Sequence, residues 1–166
     1  LKKQTILTQG FIGRSLKHKN TTLGREGSDY SAAIFAYALD AESVTIWKDV
    51  AGVMNGDPKR FDDAVLIPKL SYNEAIELAY YGASVIHPKT IQPLKSKKIP
   101  LYVKSFVNTS APGTEVLENE SRTLNETQCY IVKENQSLIT ISTKDFSFIV
   151  EDNLEIIFNA FNSAGI

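Results

Sequence analysis

Arg25, Ser28 and Asp29 fall in the stretch TTLGREGSDYSAA, Thr21 to Ala33, where Gly24 and Gly27 interrupt the chain just before an apolar, alanine-rich pattern of helical period. A guanidinium beside glycine-spaced backbone N–H groups at a helix start suits a carboxylate or a phosphate. The planar fork donates two parallel hydrogen bonds, and the helix dipole favours negative charge. The glycines mark a loop in which backbone turns tightly or approaches another group, and Ser28 reads as the helix N-cap. On spacing alone, the same residues also suit a plain glycine turn with a capping serine and a surface arginine.

A second group, Lys48 and Asp49 with Asp57 and Lys59 around GVMNGDP, follows a short β-branched strand. Ligands of open α/β sheets bind at that end of a strand. Asp57 ahead of Pro58 is also a good turn initiator whatever the loop binds. No Walker phosphate loop, dinucleotide fingerprint or His/Cys metal cluster occurs in the sequence. His87, ahead of Pro88, reads as a structural contact rather than a base. The single cysteine, Cys129, excludes an internal disulfide, points to a reducing compartment and reads as a small strand hydrophobe rather than a nucleophile.

The elements that must position these groups alternate. Ile6 to Thr8 reads as a strand end leading to the GFIG turn, Tyr30 to Leu39 as a helix, and Val44 to Trp47 as a strand. SYNEAIELAYYGA opens with Ser71 and Glu74 at capping-box spacing, closes with Gly82, and carries an expected apolar face of Ile76, Ala79, Tyr80 and Ala83. Pro88 sits where a further helix would start, and IPLYVKSF alternates as a strand. The expected fold class is α/β, a mostly parallel sheet sandwiched by helices.

Past Phe106 the composition turns polar, so a linker is expected over 108–128, separating a first domain, 1–107, from an incomplete α+β segment, 129–166. That segment offers two β-like runs in CYIVKENQSLITISTKDFS. A helix follows, with Leu154, Ile157, Phe158 and Phe161 on one face and Asp152 or Asn153 as its cap.

With a formal net charge of −1 over 166 residues, the chain lacks the basic surface that a phosphate backbone would require, and KSKK at Lys95 to Lys98 reads as a solvated helix end. No apolar stretch reaches membrane-spanning length and no signal peptide is visible, so a cytoplasmic protein is expected. The start without methionine leads to the expectation of a piece of a longer protein.

The blocks TQGFIGRSLKHKNTTLGREGSDYSAA, IWKDVAGVMNGDPKRF, LSYNEAIELAYYGASVIHPKTIQPLKSKKIPLYVKSF and PGTEV, in this order, resemble aspartate kinase from Thr8 to Val116. The combination of TLGR-x-GSD, DV-x-GV and YGA-x-VIHP is specific to that branch, since glutamate and uridylate kinases share only the amino-acid kinase fold. The resemblance implies the carboxyl-terminal part of that fold and an enzyme that moves the terminal phosphoryl group of ATP, with Mg2+, to the side-chain carboxylate of L-aspartate. The product, 4-phospho-L-aspartate, leads to lysine, threonine and methionine.

By the same resemblance Phe11, Arg25 and Ser28 bind the substrate, and Asp29 orders the reaction centre. Lys48, Asp49, Met54, Lys59, Ser84 and Val85 form the nucleotide half, and no protein metal site is implied. Lys48, Met54, Lys59 and Ser84 stand where the family usually has Thr, Tyr, Arg and Lys. The family's amino-terminal lysine and glycine loop is not in this chain, so the fragment is expected to be inactive by itself. The tail resembles the start of an ACT regulatory domain. That implies an amino-acid effector such as lysine or threonine near Asp152, Asn153 and Leu154, while the unmet apolar stripe of the tail helix and an open strand edge lead to the expectation of a homo-oligomer. The competing reading is a non-catalytic regulatory or binding chain that keeps the fold, motivated by the missing lobe and by Lys48, Met54 and Ser84.

Overall fold

The structure, a computed structural model, describes residues 4–81, 85–118, 128–143 and 150–165. The chain divides into two units, Leu1–Val132 and Lys133–Ile166.

In the first unit a short antiparallel hairpin, β1 (Ile12–Arg14) with β2 (Asn20–Thr22), pairs Ile12 with Thr22 and leads into α1 (Gly27–Ala38). The main sheet holds β3 (Val44–Lys48), β4 (Lys69–Ser71), β5 (Leu101–Ser105) and β6 (Thr114–Leu117) in the order β3-β5-β6-β4. Two of its pairings, β3 with β5 and β4 with β6, are parallel, and β5 with β6 is antiparallel. The α/β class expected from alternating elements holds. Helix α3 (Pro88–Lys97) packs against both α1 and α2 (Tyr72–Tyr81). Val44, Ile46, Leu101, Val103 and Val116 from the strands join Ala33, Ala36, Leu78, Ile91 and Leu94 from the helices in one core. Alternation does the sorting along β3, where Val44 and Ile46 are buried while Thr45 and Trp47 are exposed.

Local chemistry sets the helix ends. Ser71 and Glu74 form the expected capping box, with the Ser71 N–H donating to Glu74 Oε2 at 2.7 Å and the Glu74 N–H to Ser71 Oγ at 3.1 Å. His87 Nδ1 accepts the Lys89 N–H at 3.1 Å, so His87 is the N-cap of α3 ahead of Pro88, as a structural reading expects. Helix α1 ends where Asp40 turns left-handed at φ 48°.

Five expectations are corrected. Ser28 is not the N-cap: Glu26 takes that position at φ 55° without a side-chain cap, and the helix is already formed at Gly27. Ile6–Thr8 is not in a strand, since among the described residues no strand pairs with it. The buried face of α2 is Tyr72, Ala75 and Leu78, because the Tyr72 hydroxyl reaches across to donate to Ile99 O at 2.6 Å and fixes the rotation of the helix. Tyr80 is 72% exposed, Ile76 packs on the core's edge, and Ala83 and Gly82 lie outside the described residues.

The fourth correction concerns the expected linker. Residues 114–117 within it form β6, an inner strand with Thr114 and Val116 fully buried. Its entry depends on Gly113 at φ 76°, where a Cβ would stand 2.2 Å from Val103 O. Residues beyond the linker also belong to this unit: Cys129 packs against its core, and the Tyr130 N–H donates to Asn55 O at 2.7 Å.

The second unit carries the fifth correction. Helix α4 (Glu151–Ala164) forms as expected, but its N-cap is Val150, whose N–H donates to Asn153 Oδ1 at 3.1 Å. The described residues of the two β-like runs form no strand, since a β-like run becomes a strand only with a partner to complete its ladder. Ile141, Ser142 and Thr143 border a shallow hollow with Asn153, Ile156 and Ile157 of α4. No residue of α4 is buried, and Phe158 is 64% exposed.

Candidate active site

The mouth of α1 is held by the loop before β1. Phe11 adopts φ 72°, a left-handed conformation costly for an aromatic residue and therefore maintained by its surroundings. Its N–H donates to Ser31 Oγ at 2.9 Å, and its carbonyl accepts the Leu23 N–H at 2.8 Å. The Ser31 hydroxyl in turn donates to Gly27 O, one helical turn earlier, at 2.9 Å. At Gly27 a Cβ would stand 2.8 Å from Phe11 Cδ2 and 2.9 Å from Leu23 Cβ, so glycine is what lets the Phe11 ring lie on the helix start. No side chain caps that first turn, and Arg25 and Ser28 are exposed beside it. An uncapped helix N-terminus with an exposed guanidinium next to it can receive a carboxylate.

Asp29, in the same first turn, faces the sheet. Lys48 Nζ, from the last residue of β3, lies 2.6 Å from Asp29 Oδ2, and the two side chains are 22% and 14% exposed. The ion pair joins the helix mouth to the carboxyl end of a parallel strand. The Phe106 N–H donates to Lys48 O at 2.9 Å and extends the β3–β5 ladder to this point.

Past β3, Asp49 is exposed, and the chain runs out as an arm that folds back on itself. Met54 bridges Leu66, the Asn55 N–H donates to Val65 O at 3.0 Å, and Asn55 Oδ1 accepts the Val65 N–H at 2.8 Å. Buried Thr114 pins this arm to β6: its Oγ1 accepts the Val53 N–H at 2.8 Å and donates to Ile67 O at 2.7 Å. Asp57 Oδ1 accepts the Lys59 N–H at 2.9 Å, the local turn that Asp before Pro favours, which leaves the Lys59 side chain exposed on the arm.

Thus Phe11, Asp29 and Lys48 are linked through contacts at one helix mouth, with Arg25 and Ser28 beside them. Met54 and Lys59 ride on the arm, and Val85 is half-buried against the core. Ser84 lies outside the described residues. Asp152, Asn153 and Leu154 belong to the second unit. Burial, and then the charge of Glu74, push the Cys129 thiol up, which favours the protonated form and suits its reading as a hydrophobe. Sequence reasoning missed Ser31, Asn55 and Thr114. Only Ser31 left a local trace, four residues after Gly27 on a helical pattern.

The chain as a whole is similar to known proteins. The amino acid kinase family model matches residues 1–105. A bifunctional aspartokinase/homoserine dehydrogenase of Haemophilus influenzae is 39% identical over 165 residues, 99% of this chain and 20% of the relative. Lysine-sensitive aspartokinase 3 of Escherichia coli is 40% identical over 141 residues, 85% of this chain and 31% of the relative. The structure of E. coli aspartokinase III in complex with aspartate and ADP matches with a TM-score of 0.66 at 44% identity, covering 69% of this chain and 26% of that one. The chain spans less than a third of the length of either of these curated relatives. No helix among the described residues is long and apolar enough to cross a membrane.

Proposed function

Because the chain belongs to the amino acid kinase family, we propose that the protein carrying it is an aspartate kinase, transferring the terminal phosphoryl group of ATP to the side-chain carboxylate of L-aspartate. The observation that carries this reading is the uncapped mouth of α1 with Arg25 and Ser28 beside it, joined through Asp29 and Lys48 to the end of β3. One side of that junction suits an amino-acid carboxylate, and the other suits a polyphosphate at a strand's carboxyl end.

The acceptor carboxylate is ionised at neutral pH and needs no general base. An acceptor oxygen bonds to the terminal phosphorus while the bond from that phosphorus to the bridging oxygen breaks, its electron pair leaving on ADP. What this chain contributes is position and positive charge. Arg25 and the first-turn N–H groups hold the substrate's α-carboxylate, the Phe11 ring walls the pocket, and Lys48, Asp49, Met54, Lys59, Ser84 and Val85 form the nucleotide side. Among the described residues no group of three His, Cys, Asp or Glu residues could cage a metal. Magnesium would be carried by phosphate oxygens and water, with Asp49 as the exposed carboxylate within the nucleotide half, and when bound it would supply neutralisation of phosphate charge.

The second unit is read as the beginning of a regulatory domain in which Asp152, Asn153 and Leu154 take part in effector binding. Its effector is lysine or threonine, and the exposed stripe of α4 serves a homo-oligomer. Kinetics of Arg25→Ala in the full-length protein test the acceptor assignment. A loss of about 30- to 1000-fold in kcat/KM for aspartate, with KM for ATP unchanged, is expected. Wild-type saturation by aspartate would refute it.

A further inference from the structure

The end of β3 carries a lysine whose surroundings are unlike those of a surface ion pair. Lys48 is fixed at both ends: its carbonyl accepts the Phe106 N–H at 2.9 Å, and its ammonium lies 2.6 Å from Asp29. An ammonium has three N–H donors. Asp29 pairs with its charge at 2.6 Å without a hydrogen bond of good geometry, and among the described residues no acceptor takes any of the three donors, although the Lys48 side chain is only 22% exposed. A partly shielded cation paired with one carboxylate, with donors to spare, at the carboxyl end of a parallel strand and beside an uncapped helix mouth, is built to receive a further anion. Asp29 left alone there would repel both the acceptor carboxylate and the phosphates, and the pair removes that repulsion.

We propose that Lys48, tethered by Asp29, is the cation that meets the transferring phosphoryl group, with its spare N–H donors on the phosphoryl oxygens between acceptor and ADP. This rests on the kinase reading above and gives Lys48 a place in the reaction rather than in nucleotide affinity alone. No proton moves in this step: the acceptor oxygen bonds to the terminal phosphorus as the bond to the bridging oxygen breaks and its electron pair leaves on ADP.

The test uses the full-length protein with Lys48→Met, Lys48→Arg and Asp29→Asn, reading kcat, both KM values and the melting temperature. Removing a donor aimed at developing charge lowers kcat by about 100-fold. Lys48→Met is expected to show this loss with KM for aspartate and for ATP within about threefold of wild type. Lys48→Arg keeps the charge and recovers about tenfold of the loss, and Asp29→Asn lowers kcat because the cation is no longer held. A Lys48→Met protein with wild-type kcat and a raised KM for ATP overturns the inference and leaves a nucleotide contact. Equal losses in Met and Arg variants that follow a fallen melting temperature overturn it in favour of a structural pair. A wild-type protein that binds ATP and forms no phosphorylated aspartate overturns the kinase reading and this inference together.

Discussion

Gly27→Ala tests how the acceptor side is built. A Cβ at this position would stand 2.8 Å from Phe11 Cδ2 and 2.9 Å from Leu23 Cβ, while carbon atoms rest at about 3.5–4.0 Å, so both neighbours must retreat by more than half an ångström. Neither can do so freely. Phe11 is fastened at its N–H to Ser31 Oγ and at its carbonyl to the Leu23 N–H, and it already sits at φ 72°. Overpacking of this kind costs about 1–3 kcal/mol, and the better helix propensity of alanine offsets at most about 1 kcal/mol. A net destabilisation of up to about 2–3 kcal/mol follows, measurable by urea unfolding. Since the Phe11 ring is read as a wall of the acceptor pocket, calorimetry should also show aspartate binding weakened by about tenfold, or roughly 1.4 kcal/mol. A Gly27→Ala protein more stable than its parent, with unchanged aspartate affinity, would refute the reasoning, because it would mean that the helix mouth relaxes at no cost.

Two further perturbations address the frame behind the site. Thr114→Val removes the hydroxyl between the Val53 N–H and Ile67 O and leaves both groups buried without that partner, so unfolding should show a loss of about 2–4 kcal/mol together with a raised KM for ATP, the arm after β3 being no longer pinned. An unchanged KM would detach the arm from nucleotide binding. Tyr72 is held protonated, its pKa pushed up from 10.0 to about 12 by burial and then by the charge of Glu118. The folded state therefore keeps a proton that the unfolded state loses between those two values. The stabilisation is complete below pH 10.0 and disappears as pH rises through about 12, a decline of roughly 2–3 kcal/mol. Urea unfolding across that window should show this decline in wild type and not in Tyr72→Phe, and parallel curves for the two proteins would contradict it.

What could be read from sequence was what is decided within a few residues. The Ser71–Glu74 capping box, the cap at His87 before Pro88 and the Asp57 turn involve partners close in the chain, and all three are present. The misses are places where a distant partner decides. Thr114–Leu117 looks like polar linker by composition and becomes an inner strand because β5 and β4 accept it on either side. The β-like runs after Gln128 lack such partners among the described residues and remain irregular. Ser28 has the right residue type for a cap, but Phe11 and Leu23 pack on Gly27 and the helix starts two residues earlier than a Ser28 cap would give. At the site, sequence resemblance named Asp29 and Lys48 for separate halves. Their meeting at 2.6 Å depends on α1 lying beside the end of β3, which no local pattern encodes.

The most direct test of the central claim asks where the phosphoryl group goes. Full-length protein incubated with ATP, magnesium and L-aspartate, then quenched with hydroxylamine, converts any acyl phosphate to a hydroxamate whose position mass spectrometry can assign. The account predicts ATP-dependent formation of the side-chain hydroxamate, abolished by omitting aspartate and reduced by about 30-fold or more in Arg25→Ala. Wild-type protein that hydrolyses ATP at the same rate with and without aspartate and yields no hydroxamate, or one that yields only the α-carboxyl product, would contradict it.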